Sequence, residues 1–259
     1  MKKNKAILII ICLLISTIGI SQSKEKEEKE YYENGKLKSI GNTIDGKKVG
    51  EWRAYHENGQ LRSIGKVVNN KETGEWKAYY GNGQLMAIAS YIDGKFTGSR
   101  KLYHENGKLY SSENYIDGKK TGEWKSYYEN GQLRDAGNYI DGNYTGEWNS
   151  FHDNGQLMTN ENYINGKRNG KRKLYYRDGQ LREKENYING KLNAEWISYY
   201  ENGQIRKSGN YIDGEKSGEW KSYFSNGKLN TIGSYINEKP IGEWKFYNDT
   251  GELYNIKQY

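Results

Sequence analysis

A period of 24 residues runs through almost the whole chain without an insertion. An aromatic residue returns at Tyr31, Tyr55, Tyr79, Tyr103, Tyr127, Phe151, Tyr175, Tyr199, Tyr223 and Tyr247. A fixed period of this length means a stacked array of supersecondary units, each contacting its neighbours. Ten copies cover residues 31–259, the last one truncated.

Two turn signals stand at fixed places in each unit. The first is Asn-Gly, as in Asn34-Gly35, Asn58-Gly59, Asn106-Gly107 and Asn130-Gly131, varied to Asp178-Gly179 and Thr250-Gly251. Between aromatic and β-branched residues this dipeptide predicts a two-residue type I′ hairpin, with positive φ at both central residues. The second signal, such as Asp45-Gly46, Asp117-Gly118 or Asn165-Gly166, predicts a longer turn ending at a glycine such as Gly50, Gly74 or Gly122. Each unit therefore reads as two short strands and two turns, and the repeats carry no helical periodicity.

A two-residue turn fixes the register, and the register can be tested from within. It sets Trp52 against Gly65, Trp124 against Gly137, Trp196 against Gly209 and Trp76 against Ala89. In both units where Arg replaces Trp, the partner becomes Glu: Arg100 with Glu113, and Arg172 with Glu185. Ring over glycine and opposite charges are both sound cross-strand pairs. Trp148 against Glu161 departs from the rule. Side-chain alternation then places Trp52, His56, Leu61 and Gly65 on one face, the candidate buried side. Tyr55, Arg53, Glu51 and Arg62 fall on the other, expected to be a solvated Tyr ladder.

Composition fits a thin structure. Only 34% of the chain is hydrophobic, yet it holds 25 Tyr, and large rings suit the cover of a sheet better than a thick aliphatic core. The expected fold is all-β: an elongated, single-layer antiparallel sheet of tandem β-hairpins, roughly 90 Å long at the usual strand spacing.

Residues 1–21 read as a signal peptide, with Lys2, Lys3 and Lys5 ahead of the apolar run Ala6 to Ile20. An uncleaved anchor is the alternative. Residues 22–30 read as a charged linker, and the repeat domain spans residues 31–259. The expected location is exported: periplasm, cell surface or secreted. The single cysteine, Cys12, lies within the apolar run, so no disulfide is expected in the mature chain. Cleavage after Ser21 leaves a charge too weak to argue for nucleic acid.

Little in the sequence points to catalysis. His56, His104 and His152 lie two units apart, about 19 Å by strand spacing, too far to share a metal. Tyr fills the same place in other units. Glu recurs before the Trp position, but nothing singles out one pair, and no nucleophile elbow or phosphate loop is present. No catalytic residue, metal or cofactor is expected. The remaining candidate surface is aromatic: Trp52, Trp76, Trp124, Trp148, Trp196, Trp220 and Trp244, with Tyr55, Tyr79, Tyr103, Tyr127, Tyr175, Tyr199 and Tyr223. The competing reading makes these rings the core of a thin sheet.

The stretch Tyr115 to Leu133, "YIDGKKTGEWKSYYENGQL", and its copies resemble the MORN repeat in its bacterial variant form, as in proteins labelled YwqK-family antitoxins. The resemblance implies an elongated antiparallel sheet of consecutive hairpins, and binding or scaffolding rather than catalysis. The expected function is an exported, non-enzymatic scaffold for protein partners. The alternatives are an envelope module for glycan or lipid headgroups and a toxin-neutralising protein.

Overall fold

The computed structural model describes residues 24–259. The expected signal segment, residues 1–21, lies outside the described residues. The described residues form one open antiparallel sheet, a meander of 23 strands, with no helix among them. Its opening strands are β1 (Lys26–Tyr31), β2 (Leu37–Ile44), β3 (Lys47–Tyr55) and β4 (Leu61–Val68). Each pairs with the next, and the same hairpin is laid down again every 24 residues to a last strand at Leu253–Gln258.

The segment expected to be a linker therefore carries β1, paired from Lys26↔Thr43 to Tyr31↔Leu37. All six of its residues are exposed. This edge strand buries neither face, so its Lys and Glu cost it little, and such charges discourage pairing with a further strand.

The two turns exchange the types expected of them. At the first, the His56 N–H donates to the Gln60 carbonyl and the Gly59 N–H to the His56 carbonyl, both at 2.8 Å. Gly59 has φ +89°, whereas Asn58 is not left-handed. This is a three-residue loop, a type I turn closed by a left-handed glycine. Asn is favoured there for its side chain: Oδ1 accepts the Gln60 N–H at 3.0 Å, and Nδ2 donates to Gly81 O in the next unit at 2.6 Å. The tight two-residue turn is the second one. Asp45 and Gly46 have φ of +49° and +76°, and Ile44 pairs directly with Lys47.

A three-residue loop would shift the register by one, but a bulge restores it. Tyr55 pairs with Leu61, and Ala54 with Ser63, leaving Arg62 as the extra residue. Beyond the bulge the expected pairs hold, Trp52 with Gly65 and Arg100 with Glu113. Before it, cross-strand partners share a face, so Leu61 lies with Tyr55 and not with Trp52 as expected.

The Trp face is the buried one. Trp52, Val67, Ala89, Tyr115, Trp148, Leu174 and Trp220 lie on it with the almost inaccessible Ser111 and Ser126. The opposite face carries Glu–Lys and Glu–Arg pairs such as Glu51–Arg53. Its Tyr55, Tyr79, Tyr103, Tyr127, Tyr175, Tyr199 and Tyr223 are half-buried rather than freely solvated, because the bulge brings a Leu or Ile beside each.

Candidate binding face

The Trp face is built of parallel rows, and its central row joins one hairpin to the preceding one. Trp76 pairs with Ala89 in its own hairpin, but its indole lies over Gly65 of the hairpin before, and Nε1 donates to Lys66 O at 3.1 Å. Trp52 over Gly41, Trp148 over Gly137, Trp220 over Gly209 and Trp244 over Gly233 repeat the contact. The glycine is therefore selected by the Trp of the following unit. This accounts for Glu161 opposite Trp148: the residue that follows in the stack is Arg172, whose Nε stands 2.9 Å from Glu161.

Where Glu replaces the glycine, the next indole cannot settle over it. Trp124 follows Glu113 and donates Nε1 to its carboxylate at 3.3 Å. It stacks instead on Trp148 at 5.4 Å, and Trp196, which follows Glu185, stacks on Trp220 at 5.6 Å. Of the seven tryptophans expected to form a ligand surface, Trp52, Trp148, Trp220 and Trp244 are no more than 9% exposed. Trp76, Trp124 and Trp196 are half-buried. The indoles serve mainly as mortar between repeats.

Both expected Arg–Glu pairs are formed. Arg100 reaches Glu113 at 3.2 Å and Arg172 reaches Glu185 at 2.7 Å. Glu113 also accepts from the Tyr115 hydroxyl at 2.5 Å and pairs with Lys120 at 3.4 Å. Burial pushes the Glu113 pKa up. The Tyr115 hydrogen bond, Lys120, Trp124 and Arg100 together outweigh it, and hold the carboxyl below its ordinary value. Tyr115 is pushed up to about 12 by burial and by its bond to Glu113.

A second aromatic row was missed from sequence: Tyr91, Tyr115, Tyr139, Tyr163, Tyr187, Tyr211, Tyr235 and Tyr259. The signal was visible in the Tyr that precedes Ile-Asp-Gly or Ile-Asn-Gly in six successive units, Tyr91 to Tyr211. Phe96 and Tyr144 fill the gaps, with ring centroids 4.6 and 5.2 Å apart along Tyr91–Phe96–Tyr115, and 5.1 Å at each step of Tyr139–Tyr144–Tyr163. In four other units a cation takes that place, Lys48, Lys120, Arg168 and Lys216, and in the rest Glu72, Leu192 or Pro240. Lys216 stands 5.3 Å from Trp220 and 5.1 Å from Tyr235, and Lys48 is 4.0 Å from Trp52. Among the grooves on this face, two stand at equivalent places of the repeat. One, of about 480 Å³, includes Trp52, Trp76, Lys48 and Ser63 in its lining; the other, of about 330 Å³, includes Trp196, Trp220, Lys216 and Tyr235.

The three histidines clasp neighbouring repeats. Nε2 of His56, His104 and His152 lies 2.9, 3.0 and 3.3 Å from the carbonyls of Tyr79, Tyr127 and Tyr175. In other units a Tyr hydroxyl makes the same bond, as from Tyr80 to Tyr103 O at 2.7 Å. Among the described residues, no group of three or more His, Cys, Asp or Glu could hold a metal ion. Nor is any helix there long and apolar enough to cross a membrane.

An open sheet of hairpins repeated every 24 residues, with aromatic rows running along it, defines a tandem-repeat protein. The MORN repeat variant model matches residues 24–45, 48–69, 72–93, 96–117, 120–141, 144–165, 168–189, 192–213 and 216–237, and the chain belongs to that family. The hairpin Lys239–Gln258 follows the ninth match. No curated protein matches the chain. Among solved structures, it is similar to part of a crystal structure of TcdB2-TccC3-Cdc42, at 14% identity and a TM-score of 0.21, covering 86% of this chain and 14% of that one. It is likewise similar to part of a Photorhabdus luminescens Tc holotoxin pore with a mutated TccC3, at 14% identity and a TM-score of 0.21, covering 85% and 13%.

Proposed function

We propose that this chain is an exported, non-enzymatic scaffold that binds an extended segment of a protein partner along its Trp face. The observation that carries the reading is the recurrence of one groove at two distant places. Lys48 with Trp52, and Lys216 with Trp220, occupy the same position of units seven repeats apart, and each pair lines a groove. A ligand contacting several such sites gains by effective concentration what each site lacks in depth. Half-buried tyrosines offer flat apolar contact with a polar tip, and Lys48 and Lys216 add charge, a mixture suited to a polypeptide.

Capture from an envelope extract tests this. The wild-type protein is expected to retain a protein that the Lys48→Glu, Lys216→Glu double variant does not. Retention of purified glycan or of vesicles with no protein captured would favour the alternative envelope module instead. Export is tested by fractionation with N-terminal sequencing, which is expected to find a mature chain lacking residues 1–21.

A further inference from the structure

The face opposite the tryptophans carries a row that the hairpins themselves do not require. Immediately before every tight turn after the first, where the half-buried Ile44 stands, comes an exposed aliphatic residue: Val68, Ile92, Ile116, Ile140, Ile164, Ile188, Ile212 and Ile236. Each is 50–64% exposed, and the row continues unbroken through eight hairpins. Scattered exposed aliphatics need no explanation, but an aligned row does. In seven of the nine tight turns, the cross-strand partner of the aliphatic residue is an exposed lysine, as in Ile92↔Lys95 and Ile116↔Lys119.

We infer that this row is a self-association surface, and that its occupant is a second copy of the chain in antiparallel, two-fold arrangement. Two physical arguments select that partner. Area is the first: a half-exposed aliphatic side chain offers about 50–100 Å², so eight with the six lysine stems beside them approach the roughly 800 Å² per partner of a stable interface. Charge is the second. Over the nine tight turns and their two flanking positions, seven lysines are matched by five aspartates and two glutamates, so two strips meet without net repulsion. The identical spacing of a second copy also keeps every isoleucine in step along the whole strip. A two-fold axis at Ile140 sets Ile116 against Ile164 and Ile92 against Ile188, and brings Asp117 and Asp93 beside Lys167 and Lys191 of the second copy.

Sedimentation velocity on the protein as the cell produces it tests the inference. The wild type is expected to sediment as a dimer, and the Ile116→Glu, Ile140→Glu, Ile164→Glu variant as a monomer with an unchanged far-UV spectrum. Ile140→Lys alone places two like charges at the axis, and is expected to weaken association about tenfold or more even if the triple variant fails to fold. A wild type that stays monomeric at high micromolar concentration, a dimer indifferent to Ile140→Lys, or a monomer that pellets with anionic vesicles through this row would each overturn it. Loss of partner capture through Lys48 and Lys216 would leave the dimer unaffected.

Discussion

The indole of Trp76 lies so close over Gly65 that a β-carbon built on that glycine would stand 2.1 Å from Trp76 Cδ2. Neither side can give way. The ring is pinned by its bond to Lys66 O, and the glycine sits in the interior of a strand. Gly65→Ala is therefore expected to cost about 1–3 kcal/mol through overpacking, read as a lowered urea midpoint. Ala89, whose following residue in the stack is Arg100 rather than Trp, is expected to accept Gly at a cost of about 1 kcal/mol or less.

Ala194 has φ +68°, at the position where eight other hairpins place a left-handed glycine such as Gly50 or Gly218. A β-carbon in that conformation costs about 1–2 kcal/mol. Ala194→Gly is expected to raise the thermal midpoint, with calorimetry as the check. A lowered midpoint would contradict the assigned backbone.

Phe224 stands where Tyr200 donates to the carbonyl of Tyr223 at 2.7 Å, and it has no hydroxyl to offer Tyr247. Phe224→Tyr is expected to add that clasp and stabilise the C-terminal repeats by about 1 kcal/mol. Amide exchange of the last hairpin should slow, while exchange near β1 and β2 should not change.

Glu113 has its pKa depressed in the folded state. Its contribution to stability is therefore present above the unfolded value of about 4.3, and is lost as pH falls through the lower folded value. The wild type is expected to be more stable than Glu113→Gln at neutral pH, with the difference shrinking below about pH 4. Parallel urea titrations at several pH values measure it, and a difference that widens in acid would refute the assignment.

How far the sequence could be read follows from what each signal is local to. The period, the hairpins and the Arg100–Glu113 pair were legible because they lie within one unit. Glu161 was not, because its partner Arg172 belongs to the next. The turn types were interchanged because Asn-Gly suits both a type I′ turn and a three-residue loop, and the side-chain bond from Asn58 to Gly81 decides between them. β1 was hidden by its charges, which in a central strand would be prohibitive. Of the candidate face, the aromatic rows were visible, but which ring covers which glycine depends on how hairpins lean on one another.

The central claim is that stability is carried from each hairpin to the next, with no core shared across the array. Excising one whole period tests it most directly. Removal of residues 50–73 joins Val49 to Gly74 and brings Trp76 over Gly41 in place of Trp52, so the stack is expected to reseal. The shortened protein should keep its β-sheet far-UV spectrum and unfold cooperatively with a modestly lower midpoint. Removal of residues 50–61 alone, half a period, should destroy that order. A 24-residue excision that abolishes folding, or a half-period excision that is tolerated as well, would contradict the account.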